Sequence, residues 1–323
     1  MWYGIGNTGV QNPSTARITM DRNGSVTLFT GCADIGQGST TVLAQIVAEV
    51  LGLTPDCIRL VVADTQCTTN AGATSASRQT YISGNAVKEA AEKLADVLLT
   101  EAVNKLKTPK TSLQLDAGFV RVLDNPDKKI GFSWLARRIH EKGLPLTWNG
   151  FFDPDTVPLD PDTGQGVPYA TYAFACQLAM LSVDTLTGEV KVEKIVAAHD
   201  VGKAIHPENV KGQICGGVAM GMGFALMEEF VPGQTLSFKD YLIPTCADMP
   251  EVIPIIVESP EPSGPFGAKG VGEPALIPTA PAIINALADA LGERIYQLPA
   301  NLERVLEASI KAGHFGPKEV KNV

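Results

Sequence analysis

ARITMDRNGSVTLFTGCADIGQGSTTVLAQIVAEVLGL, residues 16–53, holds two kinds of periodicity on either side of a glycine-rich break. Residues 17–30 alternate between apolar and polar on both sides of a DRNG turn signal, which is typical of a β-hairpin. After the break at residues 36–38, apolar residues recur at helical spacing, and Ser39 or Thr40 is the predicted N-cap. The stretch therefore predicts a hairpin, a glycine loop and a helix, in that order.

A second stretch repeats this order. CQLAMLSVDTLTGEVKVEKIVAAHD, residues 176–200, has the pattern of a strand, a turn and a second strand. Gly212 and Gln213 follow, and a helix rich in small residues is predicted to begin near Ile214. Because hairpin, Gly-Gln and helix recur in the same order, we interpret the two stretches as a weak internal repeat.

The segment between the two stretches suggests where the chain divides. Residues 151–168 are rich in proline, aspartate and glycine and have no period, which indicates a loop or linker. We therefore expect an α+β fold with two lobes that contain internally similar hairpin–helix halves. The expected lobes are residues 1–165 and 166–323. Helices are also predicted near residues 84–107 and 133–142, two more within residues 279–308, and a polar tail over residues 313–323.

The overall composition restricts the class of function. The chain has 323 residues, 45% of them hydrophobic, and a net charge of −9, which argue for a sizeable core and against binding to nucleic acid or to an anionic membrane. The six cysteines are scattered and form no C-x-x-C pair, so no zinc or iron–sulfur ligand run is predicted. The N-terminus lacks the features of a signal peptide and no apolar run approaches a membrane span, so we expect a cytoplasmic protein.

Glycine-marked segments are the candidate binding loops, because they let backbone N–H groups approach a ligand closely. Two of them lie next to predicted helix starts, where amides and the helix dipole favour anions. The phosphate-loop pattern is absent, and GIGNTG at residues 4–9 precedes the first strand instead of following one, so nucleotide-triphosphate and Rossmann interpretations are excluded. The segments are residues 33–41, 68–79, 210–217 and 267–275.

Glu273 is the acidic side chain of the last segment, GPFGAKGVGEPA at residues 264–275. Pro274 follows it directly, which is compatible with a helix start that the glutamate would cap. Alternatively, Glu273 is a general base held in a tight, mostly apolar loop. An ion pair with the nearby Lys269 is the simplest structural interpretation. The residues alone leave these interpretations open.

Taken together and in order, the segments resemble those of one known family. GCADIGQGSTT (31–41) is similar to its glycine-glutamine-glycine loop, and TTNAGATSASRQTYISGNAV (68–87) to its threonine- and serine-rich segment. DVGKAIHPENVKGQICGGVAMGMG (200–223) and GAKGVGEPALIPTAPAIINAL (267–287) resemble two further family motifs. Nearly the whole chain resembles the C-terminal molybdopterin-binding half of the large subunit of molybdenum hydroxylases, the xanthine dehydrogenase and aldehyde oxidoreductase family.

The resemblance implies a role for individual residues. Glu273 resembles the family's catalytic glutamate, which accepts a proton while a carbon atom of the substrate is hydroxylated. Molybdenum would be held by the pterin dithiolene and not by protein side chains. The implied cofactor-binding residues are Gly36, Gln37, Gly38, Thr74, Ala76, Ser77, Arg78, Gln79, Gln213 and Gly270.

The resemblance also implies a heteromeric complex. Family large subunits carry a further N-terminal half, whereas this chain starts just before the first loop, and we interpret it as one part of a split large subunit. Bacterial nicotinate dehydrogenases, which hydroxylate nicotinate to 6-hydroxynicotinate with water as the oxygen source, have such a medium molybdopterin subunit. The expected partners are a large molybdopterin subunit, an iron–sulfur subunit and an FAD subunit, and the expected cofactor is molybdopterin in its cytosine dinucleotide form, with molybdenum.

Two alternatives to this function remain. The chain could serve a xanthine or purine dehydrogenase, an aldehyde dehydrogenase or a carbon monoxide dehydrogenase of the same family. In a different class, it could be a non-catalytic scaffold that keeps the fold, although such a scaffold would be expected to lose Glu273.

Overall fold

The computed structural model describes residues 1–6 and 11–314. Residues 7–10 and 315–323, which include part of GIGNTG and most of the polar tail, lie outside the described residues. The described strands are β1 (Trp2–Gly4), β2 (Ser14–Met20), β3 (Val26–Thr30), β4 (Ile58–Val62), β5 (Leu113–Asp116), β6 (Phe119–Val122), β7 (Asn125–Gly131), β8 (Thr147–Phe152), β9 (Tyr172–Val183), β10 (Val190–Asp200) and β11 (Glu251–Val257). The described helices are α1 (Ser39–Leu51), α2 (Gly84–Leu106), α3 (Phe132–Glu141), α4 (Pro207–Leu226), α5 (Glu273–Leu276), α6 (Thr279–Leu291) and α7 (Leu302–Lys311).

The first sheet is built on the predicted hairpin and has the strand order β4-β3-β2-β8. β2 and β3 pair antiparallel, and the Gly24 N–H donates to the Asp21 carbonyl across the turn at 2.8 Å. Every second residue of β2 is buried, including Ile18 and Met20, because successive side chains of a strand point to opposite faces. The alternation in the sequence therefore marks the face that packs on the core.

Helices α1 and α2 cover this face and complete the first core. Leu43, Ile46 and Val47 of α1 are buried there with the alanine-rich stripe of α2. A π-helical turn at Gln79–Ser83 leads directly into α2. Turns of this kind are frequent at functional sites, and this one follows the hydroxyl-rich segment 68–79.

The second sheet has the order β1-β9-β10-β11, with β9 and β10 antiparallel and β10 and β11 parallel. Helices α4 and α6 pack on it and bury Ile195, Ile214 and Ile283 in a second core. The N-terminal strand β1 belongs to this sheet, since Trp2 pairs with Phe174 of β9. The division into lobes at residues 1–165 and 166–323 remains a proposal, and the N-terminal strand β1 pairs with the sheet of the second proposed lobe.

Small residues let α4 approach α5 and α6 closely. A Cβ atom at Gly217 would lie 2.6 Å from the Ala275 carbonyl carbon, and one at Gly221 would clash with the Thr279 side chain. Larger residues at these two positions would push the helices apart. This packing fixes the start of α5, where Glu273 is located.

The predicted hairpins, α1, α2, α3 and the two C-terminal helices are confirmed. The predicted start of α4 near Ile214 is wrong, because the helix begins two turns earlier at Pro207. His206 caps it by accepting a hydrogen bond from the Asn209 N–H at 3.1 Å, and Gly212 and Gln213 lie inside the helix. The Gly-Gln pairs of the two stretches therefore differ in local structure.

Two smaller corrections also concern local structure. The N-cap of α1 is Gly38, not Ser39 or Thr40, and it has a left-handed conformation with φ 79°. The sequence did not predict the small sheet of β5, β6 and β7, which packs beside α2. Its short strands carry too little alternation to stand out against a loop.

One apolar helical stretch, Glu273–Leu291, is long and apolar enough to cross a membrane by length and composition alone. It contains two helices, α5 and α6, and 44% of its most apolar window is buried against the rest of the protein. The same properties are typical of a core helix, and α6 contributes Ile283 and Leu287 to the second core. Its hydropathy is therefore accounted for by the fold.

Candidate functional site

A cavity of about 210 Å³ lies where the glycine-marked segments meet. Segment 33–41 contributes Gln37 to its wall, and segment 68–79 contributes Thr74 and Ser77. Gln213 of α4 and Glu273 of α5 complete the wall. The cavity is therefore lined by residues from the N-terminal and the C-terminal parts of the chain. The fold thus brings the glycine-marked segments, which are far apart in the sequence, together around one cavity.

Asp34 organises the first glycine loop. Its carboxylate accepts hydrogen bonds from the Gly36 and Gly38 N–H groups at 2.9 and 3.2 Å, and from the Thr40 N–H and hydroxyl at 3.2 and 3.0 Å. Partial burial opposes ionisation, but these hydrogen bonds together lower the pKa of Asp34. The start of α1 therefore holds the protein's own carboxylate at the position where the sequence predicted an external anion.

Amide side chains are held in the wall by the loops themselves. The Gln37 side chain accepts from the Ile35 N–H at 2.6 Å and donates to the Ser39 hydroxyl at 2.9 Å. Gln79 donates to the Thr74 hydroxyl at 3.0 Å and accepts from the Cys32 thiol at 2.8 Å. The Thr74 hydroxyl in turn donates to the Ala33 carbonyl at 2.8 Å, which joins segment 68–79 to segment 33–41.

Arg78 has a structural role in segment 68–79. Only 1% of the residue is exposed, and its guanidinium donates to the carbonyl groups of Asn12, Pro13, Ala71 and Ala73 and to the Asn12 side chain. These contacts use all five N–H donors of the guanidinium, four on backbone carbonyls and one on the Asn12 side chain. Arg78 is among the residues around the cavity, but its charged group binds the protein and not a ligand.

Ser77 and Glu273 are joined directly, although 196 residues separate them in the sequence. The Ser77 hydroxyl donates to the Glu273 Oε2 atom and accepts from the Glu273 N–H at 3.0 Å. The Glu273 side chain makes no capping hydrogen bond to α5, so the capping interpretation does not describe the structure. Glu273 is half-buried at the cavity wall, where a carboxylate can meet a ligand.

Close packing against Ser77 requires glycine at position 270. A Cβ atom at Gly270 would clash with the Ser77 carbonyl oxygen. Backbone therefore meets backbone here, as the glycine-rich segment predicts. The contact brings the loop that carries Glu273 against the segment that carries Ser77.

The predicted ion pair between Lys269 and Glu273 is wrong. The Lys269 ammonium instead lies 2.6 Å from the Asp200 carboxylate at the end of β10, with both side chains less than a tenth exposed. The other Asp200 oxygen accepts from the Gly202 N–H at 2.9 Å. The Glu273 carboxylate is therefore free of a lysine partner among the residues that the structure describes.

Several residues of the cavity lie outside the set predicted from the sequence. His206 and Asn209, at the start of α4, line the wall, and Lys203 lies nearby. Pro207 at the first helical position is a signal for the start of α4 that marks these residues in the sequence. Burial, and secondarily the Glu273 charge, raises the pKa of Tyr3 to about 12.

The remaining predicted cofactor-binding residues flank this wall. Gly36 is exposed with φ 108°, Gly38 is the N-cap of α1, and Ala76 has a left-handed conformation beside Ser77. In the parts of the chain that the structure covers, no group of three or more His, Cys, Asp or Glu side chains could hold a metal ion. The cavity therefore presents glycine backbone, hydroxyl and amide groups to a ligand.

Comparison with known proteins agrees with a cofactor-binding domain of this kind. A family model described as the molybdopterin cofactor-binding domain matches residues 1–250. The chain is 31% identical over 306 residues to the putative xanthine dehydrogenase molybdenum-binding subunit of Escherichia coli (strain K12), covering 92% of this chain and 39% of that protein. It is 32% identical over 303 residues to the nicotine 6-hydroxylase large subunit of Paenarthrobacter nicotinovorans, covering 91% of this chain and 36% of that protein.

Solved structures show the same likeness. Quinoline 2-oxidoreductase from Pseudomonas putida 86 superposes with a TM-score of 0.86 at 27% identity, over 96% of this chain and 41% of that one. The Cu,Mo-CO dehydrogenase superposes with a TM-score of 0.84 at 27% identity, over 97% of this chain and 40% of that one. The chain belongs to the molybdopterin cofactor-binding domain family of the molybdenum hydroxylases. It spans about two fifths of the length of the relatives it matches.

Proposed function

We propose that the chain is the molybdopterin-binding catalytic subunit of a multi-subunit molybdenum hydroxylase, with Glu273 as its general base. The observation that carries this proposal is the single carboxylate of Glu273 in a cavity walled by all the glycine-marked segments. A half-buried carboxylate without a lysine partner is a group that can accept a proton from a reacting substrate or water.

The cofactor would be held mainly by groups that are already in place around the cavity. The Gln213 amide lines the cavity and makes no side-chain hydrogen bond to the described residues, so it can bind a pterin. The side-chain oxygen atoms of Gln37 and Thr74 can each accept one further hydrogen bond. The backbone of residues 36–38 and 76–79 supplies the groups that are not already bonded within the protein. When bound, the molybdenum cofactor supplies two-electron redox chemistry. The chain's own part is to bind and orient the pterin and to hold a proton acceptor, Glu273. The cytosine dinucleotide form of the cofactor is part of this proposal.

The test of Glu273 is its replacement by an isosteric amide. In the native assembly, Glu273→Gln is expected to lower kcat by about two to four orders of magnitude, because general-base catalysis is lost. Molybdenum and pterin content should stay unchanged, since the amide keeps the shape of the side chain. Glu92→Gln, on the exposed face of α2, is the matched control and should keep normal turnover. Near-normal turnover of Glu273→Gln would contradict the general-base assignment.

We propose an N-heterocycle as the substrate, and nicotinate, hydroxylated to 6-hydroxynicotinate with water as the oxygen source, as the particular compound. Relatives named for nicotine and quinoline support the heterocycle, because both compounds contain an aromatic nitrogen ring. Relatives named for xanthine, aldehyde and carbon monoxide define the alternatives within the family. Assays of the purified assembly with nicotinate, hypoxanthine, an aldehyde and carbon monoxide distinguish them.

An apolar surface supports a proposal of partner subunits. Met220 and Phe224 of α4, together with Ile277 and Tyr296, are exposed around a cavity of about 750 Å³. An exposed apolar patch of this kind marks a contact with another polypeptide. The curated relatives are more than twice as long as the matched region, so we propose that a large molybdopterin subunit equivalent to their remaining part covers this patch.

Charge-introducing variants test this contact. Phe224→Glu is expected to release the large subunit from an affinity-purified assembly, because a carboxylate would be buried without a partner. Leu123→Glu, at an exposed turn of the small sheet, is the matched control and should retain it. Retention of the large subunit by Phe224→Glu would contradict the assignment of this surface.

Electron transfer requires further partners. The cysteines of this sequence are scattered and do not form the ligand run of an iron–sulfur cluster. We therefore propose that an iron–sulfur subunit and an FAD subunit complete a cytoplasmic complex. A non-catalytic scaffold remains the alternative from another class. It predicts an assembly in which Glu273→Gln leaves turnover unaffected.

A further inference from the structure

The Ser77 hydroxyl makes both of its described hydrogen bonds with the same residue. It donates to the Glu273 Oε2 atom and accepts from the Glu273 N–H at 3.0 Å. A hydroxyl has one proton to donate and two lone pairs that accept, so a single Ser77 side chain can make both bonds. The two bonds hold the Glu273 Oε2 atom and the Glu273 backbone N–H on the same hydroxyl, and they leave the other carboxylate oxygen, Oε1, for a ligand.

The backbone around Ser77 is held in an unfavourable conformation. Ala76 and Ser77 both have left-handed φ angles, 51° and 52°. Non-glycine residues rarely adopt this region, and such strain clusters at functional sites. The fold over-determines it, because the Gly6 N–H donates to the Ala76 carbonyl at 2.9 Å and the Arg78 N–H to the Ser75 carbonyl at 3.1 Å.

Close backbone packing keeps Ser77 in place. A Cβ atom at Gly270 would overlap the Ser77 carbonyl oxygen, so no side chain fits between the two residues. Ser77 is therefore held against the loop that carries Glu273.

We infer that Ser77 is a positioning residue that sets the orientation of the Glu273 carboxylate. This inference rests on the proposed function, in which Glu273 is the general base. The resemblance made Ser77 a cofactor contact through its backbone, and the geometry gives its side chain a separate task. A general base must lie within hydrogen-bond reach of the proton it accepts, so its orientation decides its efficiency.

Ser77→Gly separates this role from a structural one. Glycine adopts the left-handed conformation freely, so the variant loses the hydroxyl while relieving strain. Ala117→Gly is the matched control, since Ala117 has φ 47° in a turn between β5 and β6. Both variants should keep or raise the melting temperature. Ser77→Gly alone should lower kcat about ten- to a hundredfold in the native assembly, with KM and molybdenum and pterin content unchanged.

A crystal structure of the Ser77→Gly assembly supplies a readout other than turnover. The Glu273 carboxylate is expected to occupy more than one rotamer, whereas the Ala117→Gly structure should keep one. Normal kcat with a single Glu273 rotamer would overturn the inference, and loss of the cofactor from Ser77→Gly would show that Ser77 holds the cofactor instead. Normal turnover of Glu273→Gln would overturn the proposed function itself, so the two failures are distinguishable.

Discussion

The ammonium group of Lys269 lies 2.6 Å from the carboxylate of Asp200, and both side chains are less than a tenth exposed. The pair joins the end of β10 to the loop that carries Glu273. The loop is also bound through its backbone, because the Lys269 N–H donates to the Val201 carbonyl at 2.9 Å. The position of Glu273 therefore depends on a buried charge pair that does not include the Glu273 carboxylate.

Removal of one partner of this pair is expected to destabilise the protein strongly. Lys269→Met leaves the Asp200 carboxylate buried and uncompensated, which costs about 3–5 kcal/mol in the free energy of unfolding. Lys203→Met, which breaks an exposed pair with Glu258, is the control and should change stability by less than about 1 kcal/mol. Denaturant unfolding measures both. An equal loss of unfolding free energy in the two variants would contradict the claim that the buried Lys269–Asp200 pair matters more for stability than the exposed Lys203–Glu258 pair.

Arg78 is expected to tolerate no replacement, even by lysine. Lysine cannot satisfy the carbonyl groups of Asn12, Pro13, Ala71 and Ala73 together, so Arg78→Lys should lose about 3 kcal/mol or more in unfolding free energy. Arg137→Lys on the exposed face of α3 provides the comparison and should be nearly neutral. A thermal melt in which Arg78→Lys matches the parent protein would refute the anchoring role.

The glycine at position 270 gives a steric prediction. Gly270→Ala places a methyl group against the Ser77 carbonyl oxygen, so the loop must move, at about 1–3 kcal/mol. We expect lower stability and a lower pterin content in the purified assembly. Gly212→Ala, in α4 with no neighbouring atom within 4 Å of the added Cβ, should instead raise stability by about 0.5–1 kcal/mol. An unchanged pterin content in Gly270→Ala would show that the close contact between Gly270 and Ser77 is not needed for pterin binding.

Stability should also fall in mild acid because of His199. Burial, and secondarily the nearby N-terminal charge, lowers the pKa of His199 to about 4 from its ordinary value of 6.5. The unfolded chain therefore binds a proton that the folded chain refuses between these two pH values. The contribution of neutral His199 to the free energy of unfolding is fully present above pH 6.5 and is lost as the pH falls towards 4.

Melting temperatures measured from pH 7 to pH 4 check this prediction. The slope of the melting temperature with pH should be smaller in His199→Gln than in the parent protein, because the titrating group is gone. His140→Gln, on the exposed end of α3, should keep the parent slope. An unchanged slope in His199→Gln would show that other groups govern the acid sensitivity.

Local patterns in the sequence were sufficient to predict much of the fold. The hairpin of β2 and β3 and the helix α1 follow from alternation and from helical spacing within 38 residues. The start of α4 was placed wrongly, because Gly212 and Gln213 were interpreted as a break, whereas His206 and Pro207 begin the helix. Glycine inside a helix is permitted when close packing requires it, as at Gly217 against Ala275.

The contacts of the site were less predictable, because they join distant parts of the chain. Ser77 and Glu273 are 196 residues apart, and Lys269 binds Asp200, 69 residues away, in preference to its neighbour Glu273. Sequence spacing predicted the candidate residues and their loops. Which side chain meets which depends on how the two sheets and their helices pack, and no periodicity contains that information.

The most direct test of the account is the cofactor content of the native assembly, purified through a tag on this chain. Elemental analysis should give one molybdenum atom per copy of the chain, and the extracted cofactor should show pterin fluorescence. Glu273→Gln should retain both. An intact, folded assembly that contained neither molybdenum nor a pterin would contradict the central claim that this cavity holds a molybdopterin.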